Sequence, residues 1–333
     1  MQKILVIQTA FIGDVVLSTS LLEKLYAFYP DAQIDFLLRK GNEALLENHP
    51  FINKLWIWDK KNKKHKNFYH ILKLVRAEKY DKVINIQRFA STGIFTAFSG
   101  ANEKIGFDKN PFSFLFTKKI KHQIGSESSF MHEIDRNQLL IANFTDPKTS
   151  NQKLYPSEND FNKVSAYKAN KYICIAPTSV WFTKQFPKEK WIEFINSIQE
   201  LDFTIYLLGG KSDFDACQEI IKDGKGNIIN LSGKLSFLQT AALMKDAAMN
   251  FVNDSAPMHI ASSMNAPVTA IYCSTVPYFG FGPKSDNSHI IEIEERLFCR
   301  PCGLHGFKTC KKNNFACANN IKINQLKNIL KNI

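Results

Sequence analysis

In the opening stretch ILVIQTAFIGDVVLSTSLL, Gly13-Asp14 sets a carboxylate where a short apolar run gives way to helical spacing. Ile4-Leu5-Val6-Ile7 is continuously apolar, as a strand buried on both faces is, while Val15, Val16, Leu17, Leu21, Leu22 and Leu25 recur at helical intervals. Asp14 is therefore expected at a strand's carboxyl end, the edge where open α/β sheets bind ligands, either as a helix N-cap or as a working acid/base. A second segment, CIAPTSVWFTKQFPKEKW, puts Thr178, Ser179 and Lys184 between a strand and a helix. Hydroxyls, backbone N–H groups and one ammonium suit a diphosphate, and would equally make an ordinary turn with a surface lysine. A third, FVNDSAPMHIASSMNAPVTAIY, places Asp254 and Ser255 directly after a strand-like run, with Ala256, Pro257 and His259 on the first helical turn. A capping pair with a structural histidine and a ligand site both fit that pattern.

Four of the seven cysteines, Cys299, Cys302, Cys310 and Cys317, fall in CRPCGLHGFKTCKKNNFAC. The spacing C-x2-C-x7-C-x6-C resembles a four-thiolate zinc site only loosely, because a second close pair is missing. Reduced thiols packing a loop, a structural metal and redox chemistry all remain open. Neither a G-x-G-x-x-G turn nor a Walker loop is present, which argues against common nicotinamide or flavin dehydrogenases and phosphate-loop ATPases.

These segments need a scaffold, and the chain has the length for one. With 333 residues, two domains are the natural division. Strand-like runs at Lys3 to Ile7, Ile34 to Leu38, Leu55 to Trp58 and Lys82 to Ile86 alternate with helical patterns, and a second such series follows Tyr172. A polar stretch from Thr145 to Asn170 suits the connection between them. We expect domains over 1–155 and 165–318, both doubly wound and Rossmann-like, and a terminal amphipathic helix over 319–333 that could return to the first domain. Hydrophobic content of 44% and charged content of 22% are those of a globular protein, and no apolar run is long enough to span a bilayer. Met1-Gln2-Lys3 runs into a strand without the features of a secretory signal, so a cytoplasmic location is expected.

A net charge of +12 favours an anionic partner. Lys60, Lys61, Lys63, Lys64 and Lys66 crowd the segment DKKNKKHKNFYH ahead of a helix expected to begin near Phe68. They form either a solvated loop or a surface for anions or an anionic membrane leaflet.

Taken together, IQTAFIGDVVLSTSLL, KQFPKEKW, LLGG and NDSAPMHIASSMNAPVTAIY resemble the ADP-heptose:lipopolysaccharide heptosyltransferases of glycosyltransferase family 9, in the right order over nearly the whole chain. The resemblance implies an α/β GT-B architecture, two Rossmann-like domains facing across a cleft, and an inverting transfer that needs neither metal nor cofactor. It implies an ADP-sugar donor and an anionic glycolipid acceptor, worked on by a monomer at the inner face of the cytoplasmic membrane. Residue by residue, Gly13 and Asp14 match the acceptor side, with Asp14 the general base. Lys184, Thr178 and Ser179 match the groups that bind donor phosphates. Asp254, Ser255 and His259 match the Asp-Ser/Thr-Gly-x-x-His pattern, and Asp213 lies where members carry an acid for the nucleotide ribose. Ala256 departs from the usual glycine, and YCSTVPYF replaces the usual Gly-Pro. The alternatives are a GT-B enzyme using a UDP-sugar, whether transferase or epimerase, and a noncatalytic nucleic-acid-binding protein. The second rests on charge alone, with only Phe68 and Tyr69 beside the lysines and no recognised nucleic-acid motif.

Overall fold

A computed structural model describes residues 1–331, and the chain divides into two compact units, Met1–Tyr155 and Pro156–Ile333. The first contains β1 (Lys3–Ile7), α1 (Ile12–Phe28), β2 (Gln33–Arg39), β3 (Lys54–Trp58), α2 (Lys64–Ala77), β4 (Lys82–Asn85), α3 (Ala90–Phe98), β5 (Glu103–Phe107), β6 (Lys118–Ile120) and α4 (Glu133–Gln138). Its six strands are parallel in the order β3-β2-β1-β4-β5-β6. Parallel strands joined by crossover helices are covered on both faces, which is why Ile4 to Ile7 are all fully buried. Trp58 packs edge-on to Phe68 and Phe95, each 5.4 Å away, and joins the helices α2 and α3 to the sheet.

The second unit contains α5 (Glu158–Val164), β7 (Tyr172–Ala176), α6 (Lys188–Ser197), β8 (Thr204–Leu207), α7 (Phe214–Asp223), β9 (Ile228–Asn230), α8 (Phe237–Lys245), β10 (Met249–Asn253), α9 (Ala256–Ser263), β11 (Val268–Tyr272), β12 (Ser288–Glu292), α10 (Ala316–Asn319) and α11 (Ile323–Leu330). Its strands run β12-β11-β10-β7-β8-β9, so that, numbered within each unit, both sheets have the order 3-2-1-4-5-6. In such a sheet the chain leaves in opposite directions from the first and fourth strands, and a crevice opens between their carboxyl ends. That crevice lies between β1 and β4 in one unit and between β7 and β10 in the other.

Three expectations change. The polar stretch after Thr145 is not simply a connection: Ser157 and Asp160 cap one another, start α5 and place the second unit's beginning at Pro156. Helix α2 begins at Lys64 rather than near Phe68, with Lys63 in the left-handed region ahead of it. The terminal helix buries Ile323, Leu326 and Leu330 in the second unit's own core beside α6, so that its apolar face is already occupied there; Asn332 and Ile333, at the end of the expected helix, lie outside the described residues. Leu326 is fully buried, and its truncation to alanine should cost roughly 2–5 kcal/mol.

Candidate active site

In the first unit the turn between β1 and α1 carries Asp14 as the third residue of the helix. Phe11 is the extended N-cap residue, and its backbone N–H donates to Asp14 Oδ2 over 3.1 Å. A carboxylate whose only surroundings were backbone N–H groups at a helix N-terminus would be held below its usual pKa. Here the balance runs the other way. Burial, and then the negative charge of Glu133, raise the Asp14 carboxyl to about 6 against the pull of the amides of Phe11 and of Asp14 itself and of the more distant Arg39. The side chain is thus both a cap and a group for which ionisation is costly. Gly13 precedes it, partly buried.

The same turn is braced from the neighbouring strands. Thr9 Oγ1 donates to Gln87 Oε1 over 2.6 Å, and Thr9 N–H donates to the same oxygen over 3.2 Å. Lys60 donates from Nζ to Thr9 O at 2.9 Å and Thr9 Oγ1 at 2.8 Å, and its ammonium lies 4.7 Å from the centre of the Trp58 ring. Burial, then the nearby positive charges of Arg39 and Lys64, lower Lys60 to about 8. This corrects the grouping made from sequence. Lys60 is a brace of the β1 turn, whereas Lys61, Lys63, Lys64 and Lys66 are exposed. The signal was available in the position of Lys60 two residues past the end of β3, on the ligand-binding edge of the sheet.

In the second unit, β10 ends beside β7, with Val252 opposite Ala176, and this adjacency brings the second and third sequence segments together. Asn253 Nδ2 donates to Pro177 O over 2.9 Å while its Oδ1 accepts from Phe186 N–H over 2.8 Å, clamping both ends of the loop that holds Thr178, Ser179 and Lys184. Thr178 and Ser179 are partly exposed on that loop. Lys184 Nζ lies 2.7 Å from Asp254 Oδ2, which also accepts from Thr275 Oγ1 over 2.6 Å. Asp254 is therefore the counterion of Lys184. Ser255 stands at the N-cap of α9 but donates to Asn253 O over 3.3 Å instead of capping, and Ala256 occupies the first helical position. His259 is buried on the same turn, with its ring 6.4 Å from that of Phe281. Asp213 belongs to the loop after β8. Its Oδ2 accepts from Gly210 N–H over 2.7 Å and closes the double-glycine turn, in which a Cβ on Gly209 would come within 2.8 Å of Asp213 Cβ.

The structure adds residues that sequence patterns did not single out. Thr183, nearly fully buried, donates its N–H to Phe307 O over 3.1 Å, and its Oγ1 accepts from Phe307 N–H at 2.8 Å and Ser274 Oγ at 2.9 Å. Gly306, at φ +75°, makes this approach possible, since a Cβ there would meet Thr183 Oγ1 at 2.9 Å and Lys184 Cγ at 3.0 Å. The cysteine-bearing segment thus holds the loop of Lys184 in place. Its four cysteines line one cavity of about 280 Å³ with Thr183 and Ser274, yet among the described residues no three His, Cys, Asp or Glu side chains converge as a metal site would require. The structural-zinc candidate is therefore not met: backbone bonds such as Cys302 N–H to Ser274 O, 2.8 Å, secure the segment instead. Of the two glycines of GLHGF, the second, Gly306, was the hint of a close approach. Among the described residues no helix is long and apolar enough to cross a membrane.

Known proteins resemble this chain in sequence and fold. The family model described as glycosyltransferase family 9 (heptosyltransferase) matches residues 68–303. Lipopolysaccharide heptosyltransferase 3 of Escherichia coli is 28% identical over 295 residues, covering 83% of this chain and 85% of that protein. Among solved structures, the family 9 glycosyltransferase of Veillonella parvula superposes with a TM-score of 0.86 at 21% identity, covering 99% of this chain and 96% of that one. Heptosyltransferase WaaC of E. coli, solved with ADP-2-deoxy-2-fluoro heptose, superposes with a TM-score of 0.71 at 16% identity and 99% coverage of both chains. The paired six-stranded sheets are those of the GT-B fold, and with the match running from within α2 to Gly303, the chain belongs to glycosyltransferase family 9, the heptosyltransferases.

Proposed function

We propose that this heptosyltransferase takes heptose from ADP-heptose and transfers it, with inversion and without a catalytic metal, to an anionic lipopolysaccharide inner-core acceptor. The observation that carries the reading is the placement of Asp14, a partly exposed carboxyl on the turn at the β1–β4 crevice; burial and then Glu133 push its pKa up to about 6, which suits a base working near neutrality. Its ionised oxygen takes the proton of the acceptor hydroxyl as that oxygen attacks the anomeric carbon. The carbon's bond to the diphosphate breaks on the opposite face, and the electron pair leaves with ADP. Negative charge grows on the departing phosphate, and Lys184, with the hydroxyls of Thr178, Ser179 and Ser255 and the N–H groups at the start of α9, stabilises it there. Lys184 is held ready by Asp254, 2.7 Å away. Asp213 is assigned to the ribose and His259 to the donor side with Ala256, on the family pattern. The ligand of WaaC, an ADP-heptose analogue, supports the choice of nucleotide.

Lys61, Lys63, Lys64 and Lys66, exposed around the start of α2, are assigned to the anionic inner surface of the cytoplasmic membrane, where the enzyme works as a monomer. Charge reversal of these four should weaken binding to anionic vesicles at least tenfold; unchanged binding would remove the assignment. The reaction itself is tested by offering ADP-heptose, or a UDP-sugar, with a panel of truncated lipopolysaccharide acceptors. Heptose transfer with an inverted anomeric centre is expected. Turnover of the UDP-sugar in its place would overturn the choice of donor.

A further inference from the structure

The stretch YCSTVPYF, where the sequence departs from the family pattern, forms the end of β11 and the turn that follows it. Tyr272, Cys273, Ser274 and Thr275 are all buried, and the two hydroxyls serve different partners. Ser274 Oγ donates to Thr183 Oγ1 over 2.9 Å, while Thr275 Oγ1 donates to Asp254 Oδ2 over 2.6 Å. One short turn thus touches both the chain neighbour and the counterion of Lys184.

The turn is in its own right firmly held. Arg300 donates from Nε to Cys273 O over 2.9 Å, and from Nη2 to Thr275 O at 2.8 Å and Tyr272 O at 3.3 Å. Cys302 N–H donates to the remaining carbonyl, Ser274 O, so all four consecutive carbonyls from Tyr272 to Thr275 accept from residues 300–302. Glu292, opposite Tyr272 on the neighbouring strand β12, is the carboxylate partner of Arg300. A planar guanidinium can gather several carbonyls at once; a lysine ammonium, a point charge on a flexible stem, cannot reproduce that arrangement.

The chain of contacts ends on a single oxygen. Asp254 Oδ2 accepts from Thr275 and lies 2.7 Å from Lys184 Nζ, and both charged side chains are largely shielded from water. A shielded ion pair keeps one geometry only where further hydrogen bonds satisfy its remaining lone pairs, and Thr275 supplies one to this carboxylate.

We propose that Thr275 and, behind it, Arg300 are positioning residues for the donor: they fix the Asp254 carboxylate and so the place from which Lys184 meets the diphosphate. This deepens the function proposed above and rests on its assigning Lys184 to the donor phosphates. Thr275 acts through Asp254, and Arg300 acts through the backbone of Thr275.

The test is a calorimetric titration of the full chain with ADP, joined to steady-state kinetics. Thr275→Val keeps the shape and deletes the donor to Asp254, and should weaken ADP binding about three- to tenfold; Thr275→Ser retains the hydroxyl and should stay within about twofold. Arg300→Lys keeps a positive charge beside Glu292 without the fork, and should weaken ADP binding by a similar factor. Both weakened variants should raise the ADP-heptose KM and leave the acceptor KM unmoved. Placed in Lys184→Ala, Thr275→Val should add no further loss, because the group it acts through is gone. Unchanged ADP affinity in Thr275→Val and Arg300→Lys, with a lowered melting temperature as their only effect, would overturn the proposal. So would an equal loss in Thr275→Ser, or a loss that adds in full to that of Lys184→Ala. Unchanged affinity in Arg300→Lys beside a weakened Thr275→Val would remove Arg300 alone. If Lys184→Ala itself leaves ADP affinity unaltered, the donor role of Lys184 falls and this proposal with it, whereas a loss in Lys184→Ala with none in Thr275→Val removes the proposal and spares that role.

Discussion

The two units repeat one topology and use the crevice between their first and fourth strands in opposite electrostatic ways. At β1 and β4 a carboxyl, Asp14, has no cation within salt-bridge distance among the described residues, and burial together with Glu133 makes its ionisation costly. At β7 and β10 an ammonium, Lys184, is met at 2.7 Å by Asp254, which Thr275 holds in turn. The same backbone edge therefore presents a carboxyl with a raised pKa in one unit and a neutralised cation in the other. The contrast teaches that the doubly wound sheet supplies only the place, and that the charge and its partner supply the chemistry.

The largest effect should come from removing the first of these charges. Asp14→Asn keeps an oxygen able to accept from Phe11 N–H but cannot take a proton, so kcat should fall by about two to four orders of magnitude while affinity for ADP-heptose is preserved. Because ionised Asp14 is disfavoured in the fold, the variant should melt no lower than the native enzyme. Comparable turnover by the variant would break the comparison at its first half. The second half is tested by Lys184→Ala. Loss of a charge-assisted contact should weaken ADP binding about ten- to a hundredfold, with acceptor KM less affected. Since that substitution also strands Asp254, the double variant Lys184→Ala/Asp254→Asn separates the two causes: restored stability with binding still weak is expected.

How much of this was legible in sequence follows from the range of each interaction. The β1 run and the first turn of α1 were legible because Ile4 to Ile7 and the Asp14 turn are local patterns, and so were the strands at Lys54–Trp58 and Thr204–Leu207. Strand β6 was missed because Lys118, Lys119 and Ile120 form a short edge strand with no apolar alternation to mark it. The Lys184–Asp254 pair could not be read at all, since it depends on β7 and β10 being neighbours in space. Lys60 was misgrouped for a related reason. Composition shows five lysines in one segment, but burial against Thr9 and Trp58 is a property of the folded turn. The segment 299–317 drew notice for its thiols, while what it does in the fold is done by Gly306 and the backbone of Phe307.

That last point sharpens the second half of the comparison, because it makes the position of Lys184 depend on Thr183. Thr183→Val keeps the shape and deletes the oxygen that accepts from Phe307 N–H and Ser274 Oγ, leaving one part-buried and one buried donor unpaired, the buried one at a cost of roughly 1–3 kcal/mol. ADP affinity should fall up to about tenfold, whereas Thr183→Ser, which retains the acceptor, should remain within about twofold of the native value. A purely structural role would lower the melting temperature of the valine variant and leave donor affinity alone.

The smallest effect tests why Asp14 titrates where it does. As a base it must be ionised, so kcat/KM should rise with pH and level off above about 6, the value to which burial and then Glu133 bring the carboxyl. Glu133 is itself paired with Arg136, a guanidinium almost wholly buried, which also donates to Gln123 O over 2.7 Å. Glu133→Gln removes a negative charge near Asp14 and leaves the positive charge of Arg136 unneutralised. Both changes favour ionised Asp14, so its pKa must fall and the acid limb must move to lower pH. Burial is the larger cause and is untouched, which keeps the displacement below about one unit. The variant should therefore gain activity relative to the native enzyme near pH 5 and lose the difference by pH 8. An acid limb that stays where it was would show that burial alone sets the pKa of Asp14, and a limb displaced upward would remove Asp14 as the group being titrated.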